Sequence, residues 1–320
     1  MKKSNLIILI IALCMFVSGI FVCVGALSMR GMNFDTMFKD NSTVRTVTYD
    51  EAFLSVDAQV KAGNLEIFPT SEDELKIECT EPENTHYDIK FEGDTLVVRR
   101  VDNRDWHQYF MNFSREGIKI YLPERAYEDI KLDVSSGKII VNDGLSCRNL
   151  IAESRSGSVR AYGVTAQEKM SLKATSGQVS SNTVKAENME VSCTSGRVTL
   201  GNVVLTGKLD VENTSGSIEV IDVNCLSLSV NNTSGGITCS GVIAQDAITA
   251  KTSSGSIELL QSDADNLNVK TTSGSIRGTL LSDKIFIAES TSGSVRVPQT
   301  TRGGICKVKT TSGSIDIKIV

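Results

Sequence analysis

The sequence contains few of the residues that support catalysis or nucleic-acid binding. Among 320 residues there are two histidines, His86 and His107, one tryptophan and four prolines, and only 5% of residues are aromatic. So few histidines argue against histidine-based catalysis and against a multi-histidine metal site. With a net charge of −5, the chain has no excess of Lys and Arg with which to bind phosphate groups. Its few aromatic residues also argue against a surface that stacks on nucleic-acid bases. We therefore expect no catalytic residue, no metal, no cofactor and no nucleic-acid partner.

A long apolar run lies near the N-terminus. Residues 6–27 form a 22-residue stretch without charge, which as a helix rises about 33 Å and can span a bilayer. Lys2 and Lys3 precede it, so the positive-inside rule places residues 1–5 in the cytoplasm and the rest of the chain outside. The alternative is a signal peptide cleaved after Val24-Gly25-Ala26, although signal h-regions are shorter. We expect a retained single-pass anchor, followed by a short stalk at 28–50.

The remainder is dominated by an internal repeat. A Ser-Gly dipeptide recurs every 19 or 20 residues, and seven of its ten copies read Thr-Ser-Gly. We interpret these glycines as structural turn residues, since a Cβ would obstruct a tight turn between two strands. They are Gly137, Gly157, Gly177, Gly196, Gly216, Gly235, Gly255, Gly274, Gly293 and Gly313.

Apolar residues alternate on both sides of each glycine. In the coil around Gly216, for example, Leu209, Val211, Ile218 and Val220 occupy positions −7, −5, +2 and +4. Spacing by two indicates strands, and a 20-residue period of strand, turn and strand is typical of a parallel β-solenoid. Leucine-rich repeats are excluded by the absence of their Leu/Asn signature, and a propeller blade needs about twice the period. Residues 131–320 therefore predict an all-β solenoid (β-helix) of about ten coils.

Position −3 breaks the apolar pattern, although its side chain should point inward because it lies two residues from the inward position −5. It is mostly small and polar, and like residues recur on neighbouring coils, as in Asn213 and Asn232 or Thr252 and Thr271. Stacked like residues can form hydrogen-bonded ladders. We predict such ladders beside the turns.

Residues 51–130 predict an irregular β cap at the start of the solenoid. Gly63 repeats the turn pattern in degenerate form, and several alternating strands follow it. Residues 31–130 hold 11 Lys/Arg and 21 Asp/Glu, a net −10, whereas residues 131–320 hold 19 and 17, a net +2. An acidic cap keeps the protein away from anionic lipid. A surface for a basic peptide or a cation is the alternative.

Few side chains within the repeats suggest chemistry. Asp133 and Glu153 form the only acidic pair on adjacent coils in the outward column at position −4, which favours a solvated face over a weak cation site. Six of eight cysteines follow the anchor, and Cys193, Cys239 and Cys306 have inward positions. We expect buried free thiols rather than disulfides.

The last coil in the sequence predicts an exposed edge. No cap follows its strands, Lys307 to Thr310 and Ser314 to Ile319, so their backbone groups should remain unpaired and invite another chain. Either Lys307, Lys309 and Lys318 blunt this edge, or the protein self-associates end to end there.

The repeats resemble a known family. The coils Leu132-Asp133-Val134-Ser135-Ser136-Gly137 and Thr-Ser-Gly-Ser-Ile, with Ile120-Tyr121-Leu122-Pro123 upstream, are similar to the putative-adhesin family of bacterial β-strand-repeat proteins, domain of unknown function 4097. The resemblance spans about 50–320. It implies a membrane-anchored bacterial envelope protein with a right-handed β-helix-like fold, and some members are linked to envelope-stress responses.

Three functions follow as hypotheses. The first is a non-enzymatic, adhesin-like envelope protein that binds an envelope polymer or a membrane protein. The second is an accessory or regulatory protein of a membrane stress-sensing system. The third is a polysaccharide-active β-helix enzyme, which would require a carboxylate cluster that the outward columns lack.

Overall fold

The computed structural model describes residues 42–103 and 116–320, together with residues 15–19, 22 and 25 of the predicted anchor. Residues 15–19 are helical, while most of the run 6–27 and of the stalk lies outside the described residues. Among the described residues, no helix is long and apolar enough to cross a membrane. The two long described ranges form one 25-stranded sheet.

Seven strands make up the first part of the sheet. They are β1 (Thr43–Tyr49), β2 (Ser55–Ala62), β3 (Asn64–Thr70), β4 (Leu75–Glu81), β5 (Thr85–Glu92), β6 (Thr95–Asp102) and β7 (Gly117–Pro123).

The repeats contribute the other eighteen strands. They are β8 (Ala126–Ser136), β9 (Ile139–Val141), β10 (Ser146–Ser156), β11 (Val159–Tyr162), β12 (Thr165–Ser176), β13 (Val179–Ser195), β14 (Val198–Leu205), β15 (Lys208–Ser215), β16 (Ile218–Ser234), β17 (Ile237–Ser240), β18 (Ile243–Ser254), β19 (Ile257–Ser262), β20 (Asn266–Ser273), β21 (Ile276–Leu280), β22 (Lys284–Ser292), β23 (Val295–Arg296), β24 (Gly304–Ser312) and β25 (Ile315–Ile319).

Equivalent residues of successive coils lie directly above one another. Leu150 pairs in parallel register with Ile130 on one side and Met170 on the other, and all three side chains are fully buried. The inward columns therefore form one continuous core along the rod. The predicted parallel β-solenoid of about ten coils is confirmed. The face formed by the strands that precede the turn glycines stacks twelve strand segments, from β6 at one end to β22 at the other. At about 4.8 Å between neighbouring strands, the rod is roughly 50 Å long.

The first end of the rod, here called the head, is closed by antiparallel strands. β5 pairs with β6, and β1 and β7 both pair with β4 in antiparallel register. β2 and β3 are already solenoid strands, since they pair in parallel with β8 and β9. The predicted boundary at 130/131 thus falls inside β8.

Two arginine clusters, one buried around Arg100 and one half-buried around Arg45, hold the head together. Arg100 is almost completely buried and forms ion pairs with Asp102 and Glu116, which raise its pKa further above the usual range against the effect of burial. Arg45 donates two hydrogen bonds to the Glu81 carboxylate, 3.1 and 2.7 Å long. The Arg45–Glu81 and Arg100–Glu116 pairs join separate segments of the head.

The last two coils do not follow chain order. β24 pairs with β20 on one side and β22 on the other, and β25 likewise lies between β21 and β23. The final coil is therefore inserted beneath the coil that precedes it in sequence. The prediction that Lys307 to Thr310 and Ser314 to Ile319 form the outer edge is wrong, because the first of these strands is paired on both sides. β22 and β23 form the outermost coil.

Candidate functional site

The turn glycines form a close-packed column along the rod. All ten predicted turn glycines have positive φ, between +127° and +155°, and so does Gly63 at +92°. A Cβ on each of the ten would lie closer than 3.0 Å to the carbonyl oxygen of the turn glycine on the coil below. The turns therefore require glycine for two reasons, the backbone conformation and the space between coils.

The polar residues at position −3 bind these glycines rather than each other. Asn213 and Asn232 are stacked as predicted, but each donates from Nδ2 to a glycine carbonyl on the coil below, Gly196 at 3.0 Å and Gly216 at 2.8 Å. Thr252 and Thr271 do the same toward Gly235 and Gly255. The predicted side-chain ladder is thus a side-chain-to-turn ladder, which satisfies carbonyl groups that the tight turn leaves unpaired.

A second turn lies six residues after each of several glycines, and the sequence reasoning missed it. On six consecutive coils, the residue at this corner has a left-handed backbone conformation with positive φ. These residues are Gly163, Thr183, Asn202, Asp222, Gly241 and Gln261. Four of the six are Gly, Asn or Asp, the types that tolerate this conformation best, so their recurrence was the available signal.

The cysteines of the described part are buried and reduced. Cys79, Cys147, Cys193, Cys225, Cys239 and Cys306 are all free and buried, which confirms the expectation of free thiols. Burial raises the pKa of Cys79, Cys147, Cys239 and Cys306 to about 12. Such thiols stay protonated at neutral pH and are poor nucleophiles and metal ligands.

One carboxylate of the acidic pair on the outward face has a lysine partner in the same chain. Asp133 and Glu153 lie opposite each other in adjacent strands, and the Lys173 ammonium lies 3.4 Å from the Glu153 carboxylate. Across the described ranges, no group of three or more His, Cys, Asp or Glu side chains could hold a metal ion. The pair therefore resembles a solvated surface more than a ligand cluster.

The outermost coil is locked in place by a buried ion pair. Lys284 at the start of β22 is 3% exposed, and its Nζ lies 2.7 Å from Oδ1 of Asp263, two coils below. Gly304 of the inserted coil lies opposite Lys284 and has no side chain to block the crossing. Thr300 also donates a hydrogen bond to the Lys284 carbonyl. These contacts hold β22 over β24.

This coil also carries apolar side chains that solvent reaches. Ile285 is 41% exposed and Ile287 54%, and the neighbouring Ile305 on β24 is 42% exposed. Phe286 and Ala288, which point toward the core, are only partly buried. The end of the rod therefore offers a continuous apolar edge strand, whereas the middle of the rod exposes only scattered large apolar side chains, such as Val204, Leu226 and Ile243.

The family model of Toastrack DUF4097 matches residues 54–241 and 206–320, which together span most of the chain. The chain belongs to this family. The resemblance inferred from the Thr-Ser-Gly coils is therefore confirmed. The two matched ranges of the Toastrack model cover the rod from β2 to the inserted final coil. No curated protein matches the chain.

Solved structures similar to this Toastrack chain include three from Parabacteroides and Bacteroides species. A putative lipid binding protein from Parabacteroides distasonis is 14% identical, with 87% of this chain and 96% of that chain covered and a TM-score of 0.46. A putative adhesin from Bacteroides fragilis is 16% identical, with 88% and 99% covered and a TM-score of 0.38. A putative adhesin from Parabacteroides merdae is 18% identical, with 88% and 97% covered and a TM-score of 0.36.

Proposed function

We propose that the protein is a non-enzymatic, adhesin-like binding protein of the bacterial envelope. In this proposal residues 6–27 anchor it in the membrane with the N-terminus in the cytoplasm. The solenoid then holds its outermost coil roughly 50 Å from the head. The observation that carries the proposal is the apolar edge strand at the outer end, where Ile285 and Ile287 are exposed together, while exposed large apolar side chains in the middle of the rod are scattered.

The chemistry of the described side chains supports a binding role. The thiols are buried and protonated, and Glu153 of the one predicted carboxylate pair forms an ion pair with Lys173. A glycosidase needs two carboxyl groups facing one substrate, with one of them free to donate a proton. The rod instead offers a rigid scaffold with a distinct end.

Two measurements test this proposal. Alkaline phosphatase fused after Val320 should be active only if the rod lies outside the cytoplasmic membrane, and phosphatase-negative colonies that contain the full-length fusion would reject the proposed topology. The full chain in detergent should bind saturably to envelope fragments from cells that lack the protein, without releasing sugar products. Failure to bind, or co-purification of a membrane sensor instead, would favour the stress-sensing alternative.

A further inference from the structure

The outermost coil has strand partners on one side only. Within the described ranges, β22 pairs with β24 alone and β23 pairs with β25 alone. The outer edge of β22 thus presents N–H and C=O groups to solvent. Soluble proteins usually blunt such an edge with Lys, Pro or a covering segment.

β22 lacks these protective features over its central residues. Lys284 is buried on Asp263, and Pro298 lies beyond β23. Between Lys284 and Glu289 the strand reads Ile-Phe-Ile-Ala, four uncharged residues, three of which favour β structure. An uncharged, apolar edge of this kind pairs readily with another strand.

The same residues are apolar on both faces of the strand. Inward Phe286 continues the core column that is fully buried at Leu150 and Met170 farther along the rod. Outward Ile285 and Ile287 occupy columns that are mostly polar in the middle of the rod, as at Asn188 and Glu190, with Ile151 as an exception. We call Ile285, Phe286, Ile287, Ala288 and Ile305 the distal patch.

We propose that the distal patch binds the distal patch of a second copy of this chain, tail to tail, through antiparallel pairing of the two β22 strands. A two-fold axis normal to the sheet at Phe286 places Phe286 opposite Phe286 of the partner subunit. Ile285 then lies opposite Ile287 of the partner subunit, and Ile287 lies opposite Ile285 of the partner subunit. Such an axis keeps inward side chains inward, so the two cores meet and the two outward isoleucine rows form cross-strand pairs.

The charges near the patch permit two like ends to meet. Glu289 is paired with Lys309 at 2.8 Å, and Asp283 with Arg302 at 2.8 Å, both within one chain. Neither end therefore brings an unpaired charge from these residues into the contact. The opposite end of the rod is a poorer complement, because the outward positions of its edge strand β5 include Asp88 and Lys90.

Segment 104–115 of the same chain cannot cover the patch. It begins after Asn103 and ends before Glu116, both at the head. Because both ends of this twelve-residue segment are fixed at the head, it can extend only about 20 Å from the head before it must return. The patch lies roughly 50 Å from the head. A second copy brings the same uncharged, apolar edge strand, and it matches the patch in both chemistry and geometry.

Mass measurement by light scattering of the full chain in detergent tests this inference. The wild-type chain should be a dimer at about 100 µM, and Ile287→Lys should weaken dimerisation at least tenfold by placing two lysines at the contact. The matched control is Ile151→Lys, at the equivalent outward position of a mid-rod coil, which should leave the dimer unchanged. A monomeric wild-type chain, or a dimer that survives Ile287→Lys, would overturn the inference.

Cysteine pairing tests the register. In a chain with Cys14 and Cys23 changed to Ala, copies carrying Ile285→Cys are mixed with copies carrying Ile287→Cys. The mixture should form disulfide-linked dimers faster than either variant alone, since only the mixed pair lies directly opposite. Equal rates in all three samples would refute the two-fold axis at Phe286. The proposal rests on the adhesin-like role, but the tests are separable, because envelope binding is measured on cells that lack the protein.

Discussion

Adjacent glycines at one turn give a sharp test of the glycine column. Gly235 has φ +131°, and a Cβ there would lie closer than 3.0 Å to the Gly216 carbonyl, whose position the coil below fixes. Gly236 has no positive φ, and the nearest atom to its Cβ would be the Ser256 carbonyl oxygen at 3.5 Å, an ordinary contact. The two residues are about equally exposed. They differ mainly in backbone conformation and in the distance between an added Cβ and the neighbouring coil.

The expected effects differ in size and in sign. Gly235→Ala should cost about 1–3 kcal/mol for the unfavourable φ and about 1–3 kcal/mol more for forcing two coils apart. Gly236→Ala should be neutral or stabilise by up to about 1 kcal/mol, because it reduces the entropy of the unfolded chain without strain.

Urea denaturation followed by circular dichroism measures the difference between the two variants. The midpoint for Gly235→Ala should fall well below wild type, while that for Gly236→Ala should match or exceed it. Equal midpoints for the two variants would show that the stacked turns can open without cost, and the glycine column would then have no structural role.

Three further predictions concern the head, the thiols and the inserted coil. Asp263→Asn leaves the buried Lys284 ammonium without its partner across the inserted coil, so the urea midpoint should fall well below wild type, whereas Asp283→Asn, which removes the partner of the exposed Arg302, should leave it nearly unchanged; equal midpoints would contradict a structural role of the buried pair. A thiol reagent at pH 8 should modify at most two of the eight cysteines before unfolding and all eight afterwards, since six are buried; modification of three or more in the folded chain would contradict the burial. Burial opposes ionisation of Glu81, but hydrogen bonds from Arg45 and from the Tyr87 N–H outweigh it and lower the Glu81 pKa below its usual 4.5. The stability that ionised Glu81 contributes is therefore present above about pH 4.5 and is lost as the pH falls through the lowered pKa. The free energy of unfolding of Glu81→Gln should therefore fall less steeply with acidification than that of wild type. Parallel plots of unfolding free energy against pH for the two proteins would refute this.

The repeat made most of the rod predictable from sequence. A fixed interval between Ser-Gly dipeptides, with apolar residues two apart on either side, determines the coil, its inward columns and the parallel register. The partners of Asn213 and Asn232 were harder to predict, because the pattern shows which residues stack but not which of two nearby acceptors is better placed. The glycine carbonyl is held by the turn itself, and it accepts the hydrogen bond.

The order of the last two coils could not be predicted from the repeat. Both read Thr-Ser-Gly-Ser at the turn and place apolar residues in the same columns, so either one fits on β20. The choice depends on residues outside the pattern, above all Lys284 with Asp263 and the glycine opposite Lys284. The antiparallel head was unpredictable for the same reason, since its strands have no repeat to set their neighbours.

The inserted coil also constrains how the protein is made. Residues 284–296 leave the ribosome before residues 304–319, yet in the finished rod they rest on them. During synthesis or export, the earlier segment must either wait without a partner or occupy the place on β20 that the later segment finally takes. Completion of the rod therefore cannot proceed coil by coil in the direction of synthesis, as it can along the preceding repeats, and the distal coil is the last to reach its native neighbours.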